Sequence, residues 1–254
     1  MSVRRPAVAG LFYPDDPDAL RAAVSSYLSP APRSVKALVA PHAGYVYSGP
    51  VAGSAYSLVG PSVERVVLLG PAHRVWVDGV AASTADAFAT PLGEVRVDLA
   101  ARDALEAGGL VTHSDAAHAP EHSLEVHLPF LQVVLGDVPV LPLLVGEASP
   151  ALVADVLDAV WGGPESLLVI STDLSHYHDH ATAQELDRAT AAAILARDET
   201  RIGPYDACGA APLRGLLVSA RRHELDVELL DLRTSADTAG DPSRVVGYGS
   251  FALC

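Results

Sequence analysis

Val35-Lys36-Ala37-Leu38-Val39-Ala40-Pro41-His42-Ala43-Gly44 is an apolar run stopped by a proline, a histidine and a glycine. A short, continuous apolar segment bounded by such breakers reads as a strand buried on both faces. The same construction returns twice. Arg65 to Leu69 runs into Gly70-Pro71-Ala72-His73, and Ser166 to Ser171 runs into Thr172-Asp173-Leu174-Ser175-His176. His42, His73 and the Asp173/His176 pair therefore each follow the carboxyl end of an apolar strand. In open α/β sheets that edge is where ligand crevices form, so three separate segments send polar side chains to one rim.

The elements between these strands alternate in type, which favours an α/β fold. Asp16-Pro17 reads as N-cap and first position of a helix with Leu20, Val24, Tyr27 and Leu28 on one face. A helix is expected after Pro50. Gly79 to Thr84 and Glu94 to Val97 read as an antiparallel pair, followed by a helix over Leu99 to Ala107. Glu121 to Leu135 reads as helical, kinked at Pro129 or starting late. A strand over Val138 to Val145 and a helix over Pro150 to Trp161 precede the third apolar strand. Helices over His180 to Arg197 and Gly209 to Arg221 follow, then strands over Val227 to Leu232 and Val245 to Leu253. With no repeat, linker or low-complexity tract, residues 1–254 are expected to form one domain. The predicted class is α/β, with a central mixed, mostly parallel sheet flanked by helices.

Composition narrows the function. Half of the 254 residues are hydrophobic, which supplies a substantial core. The formal net charge is −14, from 31 acidic against 17 basic residues. A field of that sign repels phosphate backbones and anionic bilayers, so neither nucleic acid nor membrane is an expected partner. Lys36 is the single lysine, which leaves few candidates for Schiff-base chemistry. No apolar stretch approaches the ~20 residues a spanning helix needs. Arg4-Arg5 near the N-terminus lacks the apolar segment of an export signal. Two cysteines, Cys208 and Cys254, make no disulfide framework, and the cytoplasm is the expected compartment.

Several groups qualify for chemistry. His42 and His73 sit in rigid loops of matching design, and paired imidazoles in such settings suit iron, copper or zinc; alone, each would more simply end a strand. Asp173 and His176 could ligate a metal or exchange protons, or cap the next helix. Glu121, His122 and Glu125 open the 121–135 helix, with Glu121 and Glu125 on one face, where acidic residues also suit the dipole. Cys208 precedes a helix start, a place that lowers a thiol pKa, so it reads as a soft ligand, a nucleophile or an inert buried cysteine. His113 and His118 are possible partners for the Glu121 segment but, like His178 and His180, are expected to face solvent, and Ser235 and Asp237 could line a pocket, though turn chemistry accounts for them.

Arg5-Pro6-Ala7-Val8-Ala9-Gly10-Leu11-Phe12-Tyr13-Pro14, Pro41-His42-Ala43-Gly44-Tyr45-Val46-Tyr47-Ser48-Gly49, Gly70-Pro71-Ala72-His73, Glu121-His122-Ser123-Leu124-Glu125-Val126, Asp173-Leu174-Ser175-His176, Cys208-Gly209 and Val245-Val246-Gly247-Tyr248 run in order over nearly the whole chain. In these pieces the chain resembles the Memo family, whose bacterial and archaeal members are often called AmmeMemoRadiSam system protein B. That resemblance implies a fold similar to class III extradiol dioxygenases of the LigB type. It implies iron or copper held by residues matching His42, His73 and Cys208, with Asp173 and His176 beside them as catalytic groups. Tyr47, Glu121, His122 and Glu125 are expected around that pocket. Where the dioxygenases use a carboxylate, this chain has Cys208, a softer donor that favours copper or a different iron reactivity. Thr172 and His127 replace the serine and glutamine of many relatives.

The leading expectation is a mononuclear metal-dependent oxidoreductase acting on O2 or a small reduced substrate. His176 would move protons and Asp173 would orient it. A second is a binding or adaptor module that takes a small molecule or peptide, or serves radical SAM and AMMECR-type partner proteins. A third is a metal- or thiol-dependent hydrolase with Cys208 as nucleophile.

Overall fold

The computed structural model describes residues 2–254, and its centre is a nine-stranded mixed sheet. Four strands run parallel in the order Ala37–Ala40, Ser166–Ser171, Arg65–Pro71, Val140–Val145. Antiparallel neighbours flank them: Val245–Leu253 against Ala37–Ala40, and Val80–Ala82 against Val140–Val145. Val227–Thr234 and His176–His178 pair with Val245–Leu253, and Thr112–His113 ends the far side.

Each central strand is apolar throughout because both of its faces are covered. Leu38, Ala40, Val66, Leu68, Leu167 and Val169 join one core cluster with the helices Pro17–Tyr27, Tyr45–Tyr56 and Leu128–Leu135. Ala37, Val39, Val67, Leu69, Leu168 and Ile170 join the other, under the helices Leu99–Ala107, Pro150–Ala159, His180–Leu195 and Ala210–Arg222. The fold is α/β with helices on both faces, as expected. No helix among the described residues is long and apolar enough to cross a membrane.

Three local expectations need correction, and a fourth is resolved between its alternatives. The helix expected after Pro50 begins at Tyr45 and carries Pro50 inside it. Its packing outweighs the poor propensity of Gly49, Pro50 and Gly53. At Gly53 a Cβ would stand 2.3 Å from the Tyr27 carbonyl oxygen, so glycine is what lets this helix lie against Pro17–Tyr27. Gly93–Arg96 pairs with Ala87–Thr90 in a small separate sheet, not with the 79–84 segment, which joins the main sheet instead. For the 121–135 segment the late start is found: it is helical only from Leu128, after a 3₁₀ turn at Glu125–His127, so Pro129 falls in the first helical turn where its missing N–H costs nothing. The helix after Cys208 starts at Ala210.

Candidate metal centre

Because Ser166–Ser171 lies between Ala37–Ala40 and Arg65–Pro71, the carboxyl ends of three adjacent strands present His42, Asp173 and His73 side by side. The segment before Leu128 brings His122 to the same place. The rings of His42 and His73 are 5.1 Å apart, those of His42 and His122 5.5 Å, and those of His73 and His122 4.9 Å, centroid to centroid. One nitrogen of each of the three lies within 4.8 Å of the others.

The hydrogen bonds decide which nitrogens are free. His42 Nδ1 is 2.6 Å from Ser171 Oγ, and that hydroxyl donates its one proton to the Ser123 carbonyl at 2.6 Å. Ser171 therefore accepts from His42 Nδ1–H, and the His42 Nε2 lone pair is left facing Cys208 Sγ at 3.3 Å. His73 Nδ1 is 2.9 Å from Glu121 Oε1, an acceptor only, so its Nε2 also keeps a free lone pair. His122 Nδ1 is buried with no hydrogen-bond partner, 3.2 Å from the same Glu121 oxygen. Burial, reinforced by His73 and His122, holds the His42 pKa well below the usual imidazole value and keeps that ring neutral.

Glu121 is buried, and burial alone would raise its pKa. The imidazoles of His122 and His73 and the His73 backbone N–H outweigh burial and keep it below the usual carboxylate range. Asp173 stands on the other side. Its Oδ1 accepts the His42 backbone N–H at 2.8 Å, its own N–H donates to Cys208 Sγ at 3.2 Å, and its carbonyl accepts the Cys208 N–H at 3.2 Å. Burial raises the Asp173 pKa, against the His42 N–H and the charge of His176. Its hydrogen bonds thus organise His42 and Cys208, and its influence on His176 is electrostatic. The Cys208 thiol is pushed up to about 12, by burial first and by the Asp173 charge next. The lowered pKa expected from a helix start is not found, because the helix begins two residues later and burial dominates. Gly209 permits this close packing, since a Cβ there would meet the Ser171 carbonyl oxygen at 2.5 Å.

These groups open into a cavity of about 920 Å³ whose walls include Phe12, Tyr47, His176 and Tyr248, with Arg74 and Arg244 among them. His176 arrives on the short strand His176–His178, where a bulge sets Tyr177 at φ 65° under the Arg244 guanidinium, 4.5 Å from the ring centroid. Exposed Leu11, Val46, Tyr47, Tyr177 and Tyr205 lie on or next to the lining segments.

Other predicted residues go elsewhere. Glu125 does not line the cavity or share a helix face with Glu121. It is fully buried against Arg4, accepts the Ala7 and Val8 N–H groups at 2.7 and 3.0 Å, and accepts the Tyr13 hydroxyl at 2.6 Å. His118 is buried rather than solvated, its Nε2 3.0 Å from the Ala81 carbonyl, because the helix Asp115–His118 packs inward. His113 is half-buried beside Glu106, and His180 bonds Thr234 Oγ1 at 2.8 Å. His178 is exposed, and Ser235 and Asp237 form a short turn with Ser235 on the cavity wall. The sequence reading did not single out Ser171, whose signal was a hydroxyl ending an otherwise apolar strand. It also placed His122 around the ligands rather than in their cluster.

His42, His73 and His122 form a cluster of three imidazoles that could hold a metal ion, with the Cys208 thiol against His42. Such a set fits iron, copper or zinc and not the all-oxygen sites of magnesium or calcium.

The chain is similar to known proteins over nearly its whole length. Residues 4–252 match the family model described as Memo-like protein. A MEMO1 family protein of Methanopyrus kandleri is 38% identical, the match covering 98% of each chain. Another, of Archaeoglobus fulgidus, is 37% identical over 99% of each. Among solved structures, an uncharacterized protein of Escherichia coli K12 superposes with a TM-score of 0.56 at 14% identity, covering 87% of this chain and all of that one. The last likeness is one of fold.

Proposed function

The chain belongs to the Memo family, and from that premise we propose that it is a cytoplasmic, metal-dependent oxidoreductase acting on O2 or a small reduced substrate. Iron or copper is the proposed metal, with zinc as the alternative. His42 and His73 are the proposed ligands through Nε2, Cys208 is the third donor, and His122 is close enough to be a fourth. The observation that carries this reading is the pair of Nδ1 hydrogen bonds, to Ser171 and to Glu121, which leave the Nε2 lone pairs free in two rings 5.1 Å apart. Histidines that bind metals are held in this way by a partner on the other nitrogen.

A bound metal would supply one-electron chemistry and polarisation of a substrate oxygen. The protein's own part is to hold and shield. Asp173 fixes the backbone at His42 and Cys208, while His176, on the cavity wall, gives or takes a proton at its imidazole. Phe12, Tyr47 and Tyr248 give the cavity aromatic walls against which a substrate can pack. A thiol hydrolase is less well supported, since a thiol pushed up to about 12 is protonated at neutral pH and a weak nucleophile. Anaerobically purified protein is expected to carry about one transition metal per chain by mass spectrometry, and His42→Ala close to none. Equal metal content in the two proteins would end this reading.

The exposed apolar side chains around the cavity mouth favour a second reading, a binding module. There a peptide, or a radical SAM or AMMECR-type partner protein, would seat on that rim and present a group to the pocket. Retention of the wild-type protein, and not of a Tyr47→Asp variant, on an immobilised partner would support it. Equal retention of both would argue against it.

A further inference from the structure

Within the proposed metal centre, we infer that Glu121 is the positioning residue: one buried carboxylate locks the His73 loop and the His122 segment into a single ligand unit. This inference rests on the metal-site reading above and extends it to a group that does not face the cavity.

The geometry is that of a fully occupied acceptor. Glu121 is 2% exposed. Its Oε1 receives His73 Nδ1–H at 2.9 Å, the His122 backbone N–H at 2.9 Å and the Ser123 backbone N–H at 3.0 Å. Its Oε2 receives the His73 backbone N–H at 2.5 Å. Both the ring and the main chain of His73 are thus held by one side chain, and so is the backbone that carries the His122 ring. Ser123 Oγ adds a bond to the Pro71 carbonyl at 2.8 Å, closing the same two segments from behind.

Only an anionic carboxylate suits all four donors. In Glu121→Gln one face of the amide becomes –NH2, so either the His73 backbone N–H or the three donors on Oε1 would meet a donor instead of an acceptor. Such a change leaves the ligand atoms in place chemically, but the first orientation loosens the His73 main chain and the second frees its ring to rotate and to exchange tautomers. Loss of a hydrogen-bond partner behind a metal-binding histidine typically weakens affinity by about 10- to 100-fold. Glu125 supplies the internal comparison. It is equally buried, but its partners are Arg4, two backbone amides and Tyr13, none of them a ligand.

The test is chelator competition with Co2+ and with Zn2+ on the full chain, for wild type, Glu121→Gln and Glu125→Gln. Glu121→Gln is expected to bind both ions about 10- to 100-fold more weakly and to shift the visible Co2+ absorption bands. Glu125→Gln is expected to unfold at lower denaturant while keeping wild-type affinity and the wild-type Co2+ spectrum. Wild-type affinity and spectrum in Glu121→Gln would overturn the inference while leaving the metal site standing. Absence of binding by the wild type itself would overturn both. Should Glu121→Gln fail to fold, ¹⁵N-histidine NMR of the wild type decides. A proton on His73 Nδ1 is expected, and a proton on Nε2 alone would refute the locking role.

Discussion

Glu121 and Glu125 are four residues apart, both carboxylates, and both almost wholly shielded from water. One holds the His73 and His122 segments and the other the N-terminal segment. Burial alone therefore does not distinguish the two acids. The partners do. Glu125 takes donors that have nothing else to offer, and its bonds fasten Arg4, Ala7, Val8 and Tyr13 onto the body of the protein. Glu121 takes one end of an imidazole that has a second nitrogen, and each such bond turns the other end outward.

The contrast is open to attack in order of expected effect. Glu125→Ala strands the Arg4 guanidinium in the interior without its counter-ion, which typically costs about 3–5 kcal/mol. Urea unfolding should show that loss, and a change below about 1 kcal/mol would remove Glu125 as an anchor.

A smaller effect should appear on acidification. The Glu121 pKa is held below its ordinary 4.5, so the stability it adds is complete above that value and is lost as pH falls through the folded value. His42 is held neutral below its ordinary 6.5, so unfolding gains on folding as pH drops under 6.5. Metal-free wild type should therefore lose stability in two stages, and Glu121→Gln should lose the lower one. An unchanged acid limb in that variant would mean that the carboxylate is not stabilised by its donors. The smallest effect is expected at the surface. Arg96 and Asp137 pair at 3.0 Å in water, and Arg96→Ala should change stability by about 0–1 kcal/mol.

Much of this was legible from residues alone. Apolar runs ending in Pro-His, Pro-Ala-His and Thr-Asp announced three covered strands and their common edge, and periodicity located most helices. The strand order was not legible, because nothing in Leu167 to Ile170 says that this strand enters between two earlier ones. Glu121 and Glu125 look like a helical i, i+4 pair, and only the late helix start separates them. The Cys208 thiol misled for a related reason: helix position is local, whereas its burial and the nearness of Asp173 come from packing across the chain. Tyr45–Tyr56 was misjudged at Pro50, where contact with Pro17–Tyr27 outweighs local preference.

The strand Ser166–Ser171, between those leading to His42 and His73, has one more consequence. A ribosome makes both histidines long before it makes the strand that sets their spacing, and Cys208 and the terminal strand that pairs with Ala37–Ala40 come later still. The spacing of the two rings is therefore a product of the folded chain and not of the segments that carry them.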